Sequence, residues 1–176
     1  SETGEVLFQF VAYEDDYVGG TRVAVGDLDG NGTDEIITAP GRSRAPEVRV
    51  FTMEGEAVPG FPAFFGNSPA FRGGIQLAVA DVNGDGKPDV ITVPSYGIPE
   101  VRVFLSRYPQ QPAFVDAADM SFQAFPTASI GGGVVHAGDM GRLVDGSFVN
   151  LPDGKAEIVV ATGGGVKAAV TVFDVS

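Results

Sequence analysis

An internal repeat constrains this chain more than any other feature. Gly19-Gly20-Thr21-Arg22-Val23-Ala24-Val25-Gly26-Asp27 returns as Gly73-Gly74-Ile75-Gln76-Leu77-Ala78-Val79-Ala80-Asp81, and again as Gly131-Gly132-Gly133-Val134-Val135-His136-Ala137-Gly138-Asp139. The aspartates that close these runs stand 54 and then 58 residues apart. A second segment keeps the same period. Pro46-Glu47-Val48-Arg49-Val50-Phe51 reappears as Pro99-Glu100-Val101-Arg102-Val103-Phe104, with a looser echo in Ala168-Ala169-Val170-Thr171-Val172-Phe173. Such self-similarity means that one small unit is built several times, each burying its apolar face against the next.

Each unit reads as roughly four short strands. The first, such as Arg22 to Gly26, alternates with period two and is rich in valine. An acidic loop follows, then a β-branched run, Glu35 to Ala39 or Asp89 to Val93. The Glu-Val-Arg-Val-Phe segment supplies a third strand, and weaker aromatic stretches at about 57–65 and 113–125 a fourth. No segment keeps helical spacing over ten residues or more; residues 115–121 are expected to make one helical turn. The expectation is an all-β propeller of three four-stranded blades, at about 20–66, 74–126 and 132–176. A solenoid would use shorter coils without a hairpin turn between every strand.

Residues 4–13 resemble the fourth-strand segment Phe122 to Phe125, so they are expected to complete the last blade, in the same chain or in another. Propellers close with roughly four to eight blades. Three therefore imply either a longer array or two chains joined head to tail in a six-bladed ring. The full set of strands, once 4–13 is counted, favours the homodimer, because a random cut would leave an unpaired edge.

The loops after the first strands carry the chemistry. Asp81-Val82-Asn83-Gly84-Asp85-Gly86-Lys87-Pro88-Asp89 puts oxygen-bearing side chains at its first, third, fifth and ninth positions, with glycine at the fourth and sixth. Asp27-Leu28-Asp29-Gly30-Asn31-Gly32-Thr33-Asp34-Glu35 is its counterpart. Alternate carboxylate and amide oxygens on a tight loop suit a hard cation, and calcium accepts six to eight oxygens in loose geometry. An EF-hand is excluded: its twelfth position should carry a glutamate on an outgoing helix, whereas Thr38 and Thr92 stand there within β-branched runs. A plain Asp-Gly turn would not need so many repelling oxygens in alternation.

Charge and composition narrow the partners. The net charge of −12 argues against nucleic acid and anionic membrane surfaces. Of the 23 acidic residues, 11 fall in segments 27–35, 81–89 and 139–157, which is the distribution expected of cation-binding loops rather than a uniformly solvated acidic surface. With no cysteine, neither disulfides nor thiolate metal sites support the fold. No apolar run approaches the roughly 18 residues that cross a bilayer. His136 is the single histidine and there is no Gly-x-Ser-x-Gly elbow, so no catalytic constellation is expected and the chain reads as non-enzymatic. His136 itself is expected to pack in, or line the inside of, the innermost layer of strands.

The Gly-Gly-x-Arg-Val-Ala-x-Gly-Asp run, the acidic loop and the Ile-Ile-Thr-Ala-Pro-Gly that follows resemble the FG-GAP repeats of integrin α-subunit propellers and their bacterial relatives, over nearly the whole chain. The resemblance implies that each loop joins the first two strands of a blade and binds calcium. One site would use Asp27, Asp29, Asn31, the carbonyl of Thr33, and Glu35. The next would use Asp81, Asn83, Asp85, the carbonyl of Lys87, and Asp89. The chain departs from the pattern in two places. Glu35 stands where the second loop has Asp89, and the third loop is interrupted by an insertion, so that Asp139, Asp153 and Glu157 would have to converge across it, with Asp145 as a possible extra ligand.

Loops between second and third strands, at 41–45, 95–98 and 163–167, differ most among the units. Variable loops on a rigid scaffold often carry binding, which makes Arg42, Arg44 and Tyr96 candidate ligand contacts; unconstrained surface loops diverge equally. The expected role is an adhesion or recognition scaffold in an extracellular or otherwise extracytoplasmic setting, where calcium is plentiful. The alternative is a lectin-like, glycan-binding propeller, or an accessory domain of a secreted carbohydrate-active enzyme.

Overall fold

Valine-rich runs of period two, bounded by glycine and proline, become short antiparallel strands throughout the chain. A computed structural model describes residues 4–110, 112–126, 130–144, 147–149 and 152–175. Among the described residues there is no helix, and the strands make three antiparallel sheets of three to four strands, with one separate hairpin. The first sheet runs β1 (Thr21–Gly26), β2 (Glu35–Pro40), β3 (Glu47–Phe51), β4 (Phe64–Phe65). The second runs β5 (Ile75–Ala80), β6 (Asp89–Pro94), β7 (Glu100–Phe104), β8 (Met120–Gln123). In the third, β12 (Glu157–Thr162) lies between β9 (Gly133–Gly138) and β13 (Val170–Phe173). The hairpin of β10 (Arg142–Val144) and β11 (Ser147–Val149) interrupts the link from β9 to β12.

The sequence repeat is also a repeat of register. Gly26 pairs with Glu35, Ala80 with Asp89 and Gly138 with Glu157, so the acid opening each second strand faces the last residue of each first strand. At the other end Thr21 pairs with Pro40 and Ile75 with Pro94. Proline has no N–H to extend a ladder, and it ends both strands there. Within β3 and β7 the Glu-x-Arg spacing puts the two charges on one face, where Arg49 meets Glu47 at 3.0 Å and Arg102 meets Glu100 at 2.8 Å.

The sheets pack side by side through their first strands, with β5 between β1 and β9. The second sheet is therefore covered on both faces, and every residue of β6 is buried. One core cluster joins Ile37, Ala39, Val48 and Val50 of the first sheet to Ile75, Leu77 and Phe104 of the second. Another joins Ile91, Val93, Val101 and Val103 to Val135, Ile158 and Val160 of the third. Each such side chain contributes roughly 1.5–3 kcal/mol by leaving water. Phe64 packs against Phe104 and Phe114 at 5.0 and 5.1 Å, tying the short β4 to its neighbour.

Two segments differ from expectation. Residues 115–121 make no helical turn, because their aspartates hold distant backbone: Asp116 accepts from the Phe65 amide at 2.8 Å and Asp119 from the Leu105 amide at 2.8 Å. Residues 4–13 form no strand and do not join the third sheet of their own chain. Residues 10–13 lie on the first sheet, and 4–9 are exposed. The Tyr13 hydroxyl donates to the Glu47 carbonyl at 3.0 Å, Arg49 donates to the Ala12 carbonyl at 2.9 Å, and Phe10 packs on Phe51 at 5.2 Å. Among the described residues the third sheet has three strands.

Candidate metal centre

The three acidic loops occupy one equivalent turn, between the first and second strands of each sheet. In each, the opening aspartate turns inward and gathers the backbone amides of its own loop. Asp27 accepts from Asn31 at 3.0 Å and Gly32 at 2.9 Å. Asp81 accepts from Gly84 at 2.7 Å, Asp85 at 3.2 Å and Gly86 at 2.6 Å. Asp139 accepts from Asp153 at 3.2 Å and Gly154 at 2.9 Å. The turn needs left-handed backbone, which Gly32 (φ 88°) and Gly86 (φ 82°) supply without a Cβ penalty. Side chains at the third and fifth positions add short Asx-type turns: Asn31 accepts from Thr33 at 2.7 Å, Asn83 from Asp85 at 2.8 Å, and Asp85 from Lys87 at 2.9 Å.

The ninth-position acid ties the loop back to its start. Glu35 accepts from the Leu28 amide at 2.8 Å, Asp89 from the Val82 amide at 3.1 Å, and Glu157 from the Met140 amide at 2.7 Å. The shorter Asp89 uses its other oxygen as well, accepting from the Ser106 amide at 2.9 Å just beyond β7. Those two bonds hold it in the sheet. Glu35 and Glu157 each keep an oxygen for the loop.

Carboxylates converge in the first and third loops. Asp27, Asp29 and Glu35 each bring an oxygen within 4.8 Å of the others, and so do Asp139, Asp153 and Glu157; the described carboxylates of the second loop form no such group. Two oxygens bound to one calcium at about 2.3–2.6 Å lie at most roughly 5 Å apart, so both groups fit such an ion. The donors are all oxygen, which also fits calcium. Of the candidate ligands, Asp145 lies outside the described residues. Thr33 and Lys87 are held by their amides, and Asn31, Asn83, Asp81 and Asp85 lie in the loops where their spacing put them.

Charge accumulation is visible in the acids themselves. Burial pushes the Asp89 carboxyl up to about 6, with Asp85 and Asp81 adding repulsion. Burial likewise raises Glu35, helped by Asp29 and Asp27. A carboxylate buried beside like charges is costly until a cation compensates it. A cleft of about 240 Å³ beside the first loop is lined by Asp27, Asp29 and Gly30 and, from the second, by Gly86 and Lys87.

The candidate ligand contacts separate into two kinds. Arg44 is already engaged: it pairs with Glu14 at 2.6 Å and Glu47 at 2.9 Å and lies over the Tyr13 ring at 4.6 Å. Arg42 instead lies over the exposed Tyr96 ring at 5.2 Å, bridging the first and second sheets. The described part of the insertion forms the β10–β11 hairpin, which the sequence reading did not foresee. Its signal was present: Asp145-Gly146 between alternating residues is a hairpin dipeptide.

The sheets and loops together define an all-β repeat protein with an acidic loop at the same turn of each unit. Residues 27–92, which span both intact loops, match the family model of the FG-GAP-like repeat.

Proposed function

We propose that the chain is a non-enzymatic, calcium-stabilised β-propeller that serves as an adhesion or recognition scaffold. The observation that carries this reading is the recurrence of one inward-turned aspartate at three equivalent turns, with carboxylates closing to within 4.8 Å in the first and third. Calcium there fixes the turn between first and second strands and neutralises charge that burial makes costly. It stabilises the fold as any ligand of the native state does, by about 2.7 kcal/mol when present at roughly a hundred times its dissociation constant. Loops of this kind suit calcium-rich surroundings outside the cytoplasm.

The test is thermal unfolding in EDTA and in millimolar calcium. Calcium should raise the midpoint, and Glu35→Gln should remove part of the rise. An unchanged midpoint removes calcium from the reading.

A lectin-like reading is favoured by the Arg42–Tyr96 pair, an exposed aromatic face with a stacked cation that carries no ion pair among the described residues. Aromatic faces of this kind accept the apolar side of a sugar ring. Glycan-array binding lost in Tyr96→Ala would support it, and an array without signal would dismiss it.

A further inference from the structure

Every junction between neighbouring sheets uses the same positions, and both halves of one further junction stand exposed. On the second sheet Val101 and Val103 are 0% exposed beneath the third; their counterparts on the third sheet, Val170 and Val172, are 66% and 51% exposed. On the opposite side Leu77, 8% exposed, faces the first sheet, whereas its counterpart Val23 on β1 is 61% exposed and the neighbouring Val25 is 57% exposed.

Backbone contacts repeat in the same way. Gly74 lies so close to Gly41 and Arg42 that a Cβ would clash, and Gly132 is equally tight against Ser95 and Tyr96. Their counterpart Gly20 has nothing within 4 Å, and neither has Gly164, the counterpart of Arg42 and Tyr96. Val79 fills the space over Gly26. Over Gly138, the matching position of the third sheet, nothing lies within 4 Å, while Val25, the counterpart of Val79, is exposed.

The N-terminal segment carries an independent sign. Phe64 and Phe122, on fourth strands, pack on Phe104 and Phe173 of the next sheet at 5.0 and 4.7 Å, both at 54°. Phe10 packs on Phe51 at 5.2 Å and 50°. Residues 10–12 thus hold the place of a fourth strand belonging to a sheet before the first. Among the described residues the third sheet is the one without a fourth strand.

We propose that a second copy of this chain fills these places: the first sheet of each copy packs on the third sheet of the other, Val25 seats over Gly138, and residues 10–12 of one copy pair with β13 of its partner. The match of each exposed half to an internal junction means that a unit of this same repeat fits it, and a second copy of the chain supplies such units on both sides. Such a contact is head to tail, and two copies close it into six sheets, within the roughly four to eight of closed propellers, whereas three copies exceed them. The count of two rests on the propeller reading.

The register of the other sheets names the pair to test. Phe65 faces Glu47 and Gln123 faces Glu100, which makes Val11 face Ala169 of the second copy. The chain has no cysteine of its own. A Val11→Cys, Ala169→Cys variant should therefore form disulfide-linked dimers under mild oxidation, and light scattering of the unaltered chain at micromolar concentration should give twice the chain mass. Val25→Asp and Val172→Asp alter exposed side chains; each should yield a monomer with an unchanged circular-dichroism spectrum. Mixing the two variants should restore a dimer held by the one junction left intact. A folded monomer of the unaltered chain, or a dimer indifferent to both aspartates, overturns the proposal. A monomer that still gains stability from calcium leaves the functional reading standing, and a dimer indifferent to calcium leaves this one standing.

Discussion

The first and second acidic loops are close in sequence but place their last acid differently. Glu35 stays within its own loop, accepting from the Leu28 amide at 2.8 Å and interacting with the Asp29 backbone, with an oxygen near those of Asp27 and Asp29. Asp89 binds two amides, of Val82 and Ser106, and so ties the loop to the end of β7. The third loop ends in Glu157 and behaves like the first, with its carboxylates drawn together. The last acid stays within the loop in the first unit and also anchors the sheet in the second, and the two loops differ besides in Asp29 against Asn83 and Asn31 against Asp85. The same position draws toward the loop's acids in one unit and anchors the sheet in the next.

Removing the two acids should break the comparison open most clearly. Asp89→Ala leaves two buried amides without partners, at about 1–3 kcal/mol each, so its total cost should fall near 2–6 kcal/mol. Glu35→Ala removes the acceptor of the buried Leu28 amide and should cost about 1–3 kcal/mol. Urea unfolding in EDTA measures both. Equal losses would mean that the Ser106 bond contributes nothing, and that the loops differ only on paper.

The pH dependence of the metal-free protein comes next in size. Asp89 titrates near 6 when folded, against an ordinary value of 3.8. Between those values the native state holds a proton that the unfolded chain has lost, so stability falls as pH rises through this window and levels off above it. The full fall is on the order of 3 kcal/mol for a shift of this size. Glu35 acts in the same direction. Glu14, held at about 2 by its bond to Arg44, acts the opposite way and lower, losing its contribution as pH drops from 4.5 to about 2. Urea midpoints between pH 4 and 7 in EDTA should show the decline, and Asp89→Ala should flatten it. A flat profile in the unaltered protein would show that the second loop leaves its carboxylate well solvated.

Much of this architecture was legible because it is written locally and repeatedly. The first and second strands of each sheet follow from period-two valine runs and β-branched segments, and observed bounds such as Glu35–Pro40 and Asp89–Pro94 exceed the expected ones by a single proline. The place of the acidic loops, between first and second strands, could be read from spacing alone. Properties that depend on distant partners could not. Residues 4–13 carry a strand-like pattern, yet a strand exists only where another chain segment pairs with it. Residues 115–121 favour a helical turn locally, but Phe65 and Leu105 recruit their aspartates from elsewhere. The division of labour between Glu35 and Asp89 was invisible for the same reason, since it turns on the amide of Ser106, 17 residues beyond Asp89. His136, expected either to pack in the innermost layer or to line it, is exposed, so it does not pack there.

The smallest effect sharpens the comparison by asking whether the loop backbones differ at all. Gly32 and Gly86 occupy the same position, at φ 88° and 82°, and a Cβ at either would meet nothing within 4 Å. Alanine there should therefore cost only the left-handed backbone, about 1–2 kcal/mol, and the same amount in both loops. Urea unfolding of Gly32→Ala and Gly86→Ala, each in EDTA, makes the measurement. Equal costs would locate the whole difference between the loops in their carboxylates. A clearly larger loss at Gly86 would mean that the bonds of Asp89 stiffen the backbone of the second loop, so that the turn cannot relax around an added methyl; the anchoring role of that acid would then extend through the loop rather than end at Ser106.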